Sequence, residues 1–154
     1  MANTATLNDL IRINNDRIEG YSKAAAQADD QDLQSLFSQF TQQSRELANE
    51  LRGLANSRYG SDVNDKQVTD ETTSSGKIYR TWMDVKDKFT GGSRHSVLAS
   101  CEFGEDAAQK AYKSALEDDE LSPDVRSVIE RQKSELLDAH NQVKRMRDMA
   151  AAEK

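Results

Sequence analysis

The chain is short of most of what covalent or metal chemistry draws on: it has one cysteine, two histidines, one tryptophan and one proline in 154 residues. A lone cysteine, Cys101, permits no internal disulfide, which fits a reducing compartment. No apolar run approaches the ~20 residues of a membrane span, and Met1 to Asn8 lacks the basic and greasy regions of a secretory leader. Positive charge is in deficit as well. The 21 Lys and Arg against 27 Asp and Glu leave a net charge of -6, the wrong sign for nucleic acid or an anionic membrane surface. The nearest thing to a basic patch, Lys144, Arg145 and Arg147, reads as cations complementing the C-terminal end of a helix dipole. The chain therefore reads as a soluble, cytoplasmic protein that binds neither nucleic acid nor membrane.

What is present is periodicity. The hydrophobic fraction is 36% and the mean hydropathy -0.85, too little apolar surface for a sandwich but enough for helices that each bury one narrow stripe. The charged 31% then falls on solvated helix faces. A first helix is predicted from about Leu7 to Ala28, with Leu7, Ile11, Asn14, Ile18, Tyr21, Ala25 and Ala28 on its seam and Thr6 as its cap, followed by Asp9. Asp29 and Asp30 make a tight turn and cap the next helix. That second helix carries Leu33, Phe37, Phe40, Ser44, Leu47, Leu51 and Leu54, and so short a connection makes the two antiparallel.

From Asn56 to Gly76 the apolar period is lost, which predicts a long polar loop over 56–76. At ~3.3 Å per residue it reaches roughly 65 Å when extended, more than the ~38 Å of a helix of about 25 residues, so it is able to run the length of a bundle. A short crossover helix over 77–90 follows, with Ile78, Trp82, Val85 and Phe89 on one edge and Gly91 and Gly92 as its stop. Ser93 caps a third long helix with Leu98, Cys101, Glu105, Ala108, Tyr112 and Ala115 on its seam. After the acidic turn Glu117 to Glu120, Ser122 and Pro123 are an N-cap with proline at the first helical position, where its fixed φ and missing donor cost nothing. The fourth helix continues through Val125, Ile129, Gln132, Leu136, Ala139, Val143 and Met146. One all-α domain, a four-helix bundle over residues 1–154, accounts for the whole chain.

The polar residues on these seams are the sharpest functional clue, because a buried polar group is costly unless paired. Asn14 lies about fifteen residues before the first turn and Ser44 and Arg45 about fifteen after it, so a hairpin sets them side by side. Glu105 falls level with Glu135 and near Gln132 across the second turn. Glu105, Arg45, Asn14 and Gln132 would close into a charge-assisted network without any metal.

Several of these residues belong to a wider pattern. Leu7-Asn8-Asp9-Leu10, Gly20-Tyr21 followed by Ala24 and Ala25, Arg80-x-Trp82, the run Cys101-Glu102-x-Gly104-Glu105-Asp106 with Tyr112, and His140 together resemble an uncharacterised bacterial family of short proteins in the ferritin-like superfamily. The resemblance covers nearly the whole chain. It implies a ferritin-like bundle and no activity.

Ferritin-like metal proteins hold two iron or manganese ions with a Glu on each of two helices and Glu-x-x-His on each of the others. Here Glu46 is followed by Asn49 and Glu135 by Asp138, and Leu137 stands three residues before His140. The first helix offers only Asp16 or Glu19, and His95 lies near a helix start. What remains is a looser set of metal candidates, Glu102, Glu105, Glu135 and His140, since hard divalent ions accept mixed oxygen and imidazole ligands. Cys101 reads as a small buried hydrophobe, and Tyr21 and Tyr112 as core residues with satisfied hydroxyls. Two readings follow. One is a non-catalytic, cofactor-free bundle with an accessory or stress-associated role, acting as a homodimer or on a protein partner. The other is a ferritin-like protein that stores or cycles iron or manganese at a carboxylate-rich core.

Overall fold

The computed structural model describes residues 2–59 and 94–152. Among these residues there are four helices and no strand: α1 (Ala2–Gln27), α2 (Gln31–Tyr59), α3 (Arg94–Leu116) and α4 (Pro123–Ala152). The polar stretch beyond Tyr59, the helix expected over 77–90 with Trp82, the Gly91-Gly92 stop and the Ser93 cap lie outside the described residues. None of the described helices is long and apolar enough to cross a membrane.

The helix ends follow from local chemistry. α1 begins at Ala2, ahead of the expected start, so Thr6 is not a cap. Its hydroxyl instead donates to Asp118 at 2.8 Å, tying the first turns of α1 to the α3–α4 turn. At the α1–α2 turn the Asp30 carbonyl accepts the first bond of α2 from Gln34 N at 3.0 Å, while the Asp30 carboxylate is free to pair elsewhere. Arg126 donates to the Leu116 and Asp118 carbonyls at 2.7 and 2.8 Å, satisfying acceptors that the end of α3 leaves without intrahelical partners. Ser122 and Pro123 start α4 as expected, the Ser122 carbonyl accepting from Arg126 N at 2.9 Å. α2 runs through Asn56 to Tyr59, past the residue where the loop was expected to begin. Loss of an apolar stripe does not end a helix whose preceding turn is anchored by Leu51 and Ala55, both fully buried.

Contacts between helices give their directions. Arg94, at the start of α3, pairs with Asp30 and Asp32 at the start of α2, so α2 and α3 point the same way. Thr6 meets Asp118, Asn14 meets Tyr112 and Arg17 meets Glu105, so α1 and α3 are antiparallel. Glu102 meets Arg147, Asp106 meets His140 and Gln109 meets Lys133, which makes α3 and α4 antiparallel too. The end of α2 and the start of α3 thus lie at opposite ends of the bundle.

One apolar core runs through all four helices, including Leu7, Ile11, Tyr21, Phe37, Leu51, Leu98, Tyr112, Ile129 and Val143. Each large side chain buried there contributes about 1.5–3 kcal/mol relative to exposure. The α3 seam is buried as read throughout, and the α4 seam from Val125 to Val143, with Met146 packed at its edge. The α1 seam is corrected: its fully buried line passes through Leu7, Leu10, Asn14, Arg17, Tyr21 and Ala24, while Ile18 and Ala25 sit at the margin. Both lines alternate steps of three and four. The choice between Arg17 and Ile18 turns on whether a charge has a buried partner, and Arg17 has one.

Candidate functional site

That partner is Glu105. Arg17 and Glu105 are each completely buried, and their pairing is two-pronged: Arg17 Nε donates to Oε1 at 3.0 Å and a terminal nitrogen donates to Oε2 at 2.8 Å. The other terminal nitrogen donates to Ser44 Oγ at 2.7 Å and to the Phe40 carbonyl at 3.2 Å. Tyr21 adds a short hydrogen bond to Glu105 Oε2, 2.6 Å. The guanidinium carbon lies 5.0 Å from the Tyr21 ring centroid and 5.1 Å from that of Phe40, so the cation also rests against two aromatic rings.

From this ion pair a directed chain of hydrogen bonds crosses the bundle. Ser44 Oγ donates to Asn14 Oδ1 at 3.0 Å, and Asn14 Nδ2 donates to the Leu10 carbonyl and to the Tyr112 hydroxyl, each at 2.9 Å. The Tyr112 hydroxyl donates to Gln132 Oε1 at 2.7 Å. Gln132 Nε2 in turn reaches the Leu47 carbonyl at 3.3 Å and Glu50 Oε1 at 2.8 Å. Glu50 is half-buried and meets Arg131 at the surface, and Arg131 pairs with Glu135 at 3.4 Å. All four helices contribute, α1 with three side chains, Asn14, Arg17 and Tyr21, and the Leu10 carbonyl.

Burial sets the proton affinities. It would pull the Arg17 guanidinium down, but Glu105 chiefly, with the two tyrosines, outweighs it and leaves Arg17 above the ordinary arginine value. Burial first and the Glu105 charge second push the Tyr21 hydroxyl well above the ordinary tyrosine value, and the same two causes raise the Cys101 thiol. Tyr112 is raised as well, mainly by burial. Tyr21, Tyr112 and Cys101 therefore keep their protons at neutral pH, and Cys101 is not a thiolate nucleophile.

The expected members of the layer divide. Asn14, Ser44, Glu105 and Gln132 are buried and joined in one network. Arg45 is not part of it: it lies exposed on the outer face of α2, one residue and about 100° of helix from Ser44, and Arg17 holds the place assigned to it. Of the metal candidates, only Glu105 is in the layer. Glu135 is at its solvent edge. Glu102 and His140 form a separate cluster on the α3–α4 seam, where Glu102 pairs with Arg147 and His140 Nε2 lies 3.7 Å from Glu102 and 2.7 Å from Asp106. Glu46 faces outward and receives a 3.2 Å bond from Gln42, Glu19 is exposed, and Asp16 is buried on another side of α1. Among the described residues no group of three or more His, Cys, Asp or Glu is disposed to hold a metal ion.

Sequence reasoning missed Arg17, the Tyr21–Glu105 bond and Glu50. For Arg17 a signal existed: residues 7, 10, 14, 17, 21, 24 and 28 keep an unbroken three-four alternation with a lone charge in the middle.

The fold and site define an all-helical bundle closed around a buried, charge-paired polar layer. The family described as Domain of unknown function (DUF2383) matches residues 2–118, and the chain belongs to that family. The matched span contains every member of the layer on α1, α2 and α3; α4, with Gln132, lies beyond it. No curated protein matches the chain.

Proposed function

We propose that this protein is a ferritin-like bundle that does no chemistry at its centre and acts by association, with a second copy of itself or with a protein partner, as a cytoplasmic accessory factor. The observation that carries this reading is the state of Glu105. A carboxylate that is to hold iron or manganese must offer lone pairs to a vacant space, whereas Glu105 spends both oxygens on Arg17 and one of them also on Tyr21. The rest of the layer is likewise taken up in hydrogen bonds, running from Ser44 through Asn14, Tyr112 and Gln132 to Glu50. Support for the ferritin-like part comes from the helix directions: two antiparallel hairpins, with α2 and α3 parallel, suit a long crossover between them.

The test pairs two measurements on protein purified without chelator. Elemental analysis is expected to find well under one iron or manganese per chain, and light scattering or chemical crosslinking at physiological concentration is expected to find a dimer or a captured partner. A stoichiometric transition metal would replace this reading with a metal-handling one. A strictly monomeric protein that captures nothing would remove the association.

A further inference from the structure

We infer that the middle of this bundle is a receptor for a planar guanidinium cation, and that the protein supplies that cation itself as the tethered side chain of Arg17. The inference stands whatever covers the outer faces. Its basis is shape as much as charge. The acceptors are divided over the edges of the guanidinium: both oxygens of Glu105 take the edge of Nε and one terminal nitrogen, and Ser44 Oγ and the Phe40 carbonyl take the other terminal nitrogen. The guanidinium carbon also lies over two ring faces, those of Tyr21 and Phe40, at 5.0 and 5.1 Å from their centroids. Every nitrogen of the guanidinium donates into this frame.

A metal ion asks for the opposite geometry, in which lone pairs from several directions converge on one point about 2.0–2.6 Å away. An ammonium is a compact point charge with no forked edge for the carboxylate and no flat face for the rings. Guanidinium has both. The box is also assembled from both hairpins, since Glu105 comes from α3 while Phe40 and Ser44 come from α2, so the cation is enclosed only when the hairpins are docked.

The test removes the tether and offers the free cation. In Arg17→Gly, millimolar guanidinium chloride, far below denaturing concentrations, is expected to raise the melting temperature saturably by roughly 3–5 °C. The same additions leave the wild type unchanged, because its receptor is already filled. Sodium chloride, methylammonium chloride and manganese chloride serve as controls and are expected to give no comparable rise. Should Arg17→Gly be unfolded by circular dichroism, the corresponding result is recovery of helical signal on adding guanidinium. No response in either form overturns the proposal, as does an equal response to sodium or methylammonium, which would mean mere charge neutralisation. A larger response to manganese would make the layer a metal site in disguise. The double variant Arg17→Gly/Glu105→Gln must lose the guanidinium response, and its persistence would also be fatal to the idea.

Discussion

Glu102 and Glu105 stand three residues apart on α3, and each meets an arginine, yet the two pairs live in different physical regimes. Glu105 turns inward to Arg17, both side chains out of contact with solvent. Glu102 turns to the α3–α4 seam, where Arg147 keeps 26% of its side chain exposed and His140 and Asp106 crowd the same place. Water screens the second pair and costs it side-chain entropy, so such pairs contribute little. The first pair has no water to fall back on. Its net contribution relative to a well-packed apolar pair is small, but losing one partner strands the other. Carboxylates on one face of one helix thus differ less in what they add than in what their partners lose without them.

The largest expected effect breaks that comparison directly. Glu105→Leu leaves Arg17 buried without an anion and is expected to cost about 3–5 kcal/mol, whereas Glu102→Leu costs less than about 1 kcal/mol. Urea denaturation with unchanged slope measures both. The double variant Arg17→Met/Glu105→Leu should recover part of the loss, because two apolar groups of similar volume ask nothing of each other, while the Tyr21 hydroxyl still loses its bond to Glu105. Equal losses for Glu102→Leu and Glu105→Leu would dissolve the distinction between the two sites.

Next comes the middle of the relay. Tyr112 both accepts from Asn14 and donates to Gln132, so Tyr112→Phe removes two bonds and leaves two buried amides short of a partner. A loss of about 1–3 kcal/mol is expected. A double-mutant cycle with Gln132→Leu should show coupling, since the two share one hydrogen bond; strictly additive losses would mean that the relay is only a set of neighbours.

How far this arrangement could be read beforehand depends on which hairpin held the residue. On α3 and α4 the apolar period picked the buried residues from Leu98 to Ala115 and from Val125 to Val143, because no seam position there had to be contested. On α1 the same rule preferred Ile18 to Arg17. Periodicity scores each residue by its own hydrophobicity, and the fact that rescues Arg17, a carboxylate 88 positions further on, is not local. Arg45 drew attention by being next to Ser44, but adjacent residues on a helix face different ways. The existence of the polar layer, with Asn14, Ser44, Glu105 and Gln132, was therefore legible, and the identity of its cation was not. The separation of Glu102 and His140 from Glu105 was also out of reach, since it depends on which side of α3 meets α4.

Alkaline titration separates the two sites by a different route. Tyr21 and Cys101 are held above their ordinary values of 10.0 and 9.0 by burial and by Glu105. Below those values both states keep the protons and the native state has its full stability. As pH climbs past them the unfolded chain releases protons that the native state retains, so the unfolded state binds fewer and stability falls. Melting temperature should decline above about pH 9, and Cys101→Ala with Tyr21→Phe should flatten the early part of that decline. Glu102→Gln, next to Cys101 in the chain but with its side chain turned away to Arg147 and His140 and no part in either shift, should leave the alkaline limb as it is; a limb that moved with Glu102 would place the seam cluster and the layer in one electrostatic unit.

The smallest effect is the salt dependence, and it tests the comparison from the solvent side. Arg94 clamps Asp30 and Asp32 at 2.9 and 2.8 Å in plain view of water, and this pairing holds Asp32 below the usual carboxylate range. Arg147–Glu102 is less open, with its arginine 26% and its carboxylate 13% exposed. Raising sodium chloride from about 0.1 to 1 M shortens the screening length from about 10 to about 3 Å, which reaches the Arg94 pairs fully and Arg147–Glu102 in part, and cannot reach Arg17 and Glu105. Arg94→Gln is therefore expected to lose a little stability at low salt and none at high salt, while the penalty of Glu105→Leu stays the same at both. A Glu105→Leu penalty that shrank with salt would mean that ions enter the middle of the bundle, and the layer would then be wet, not sealed.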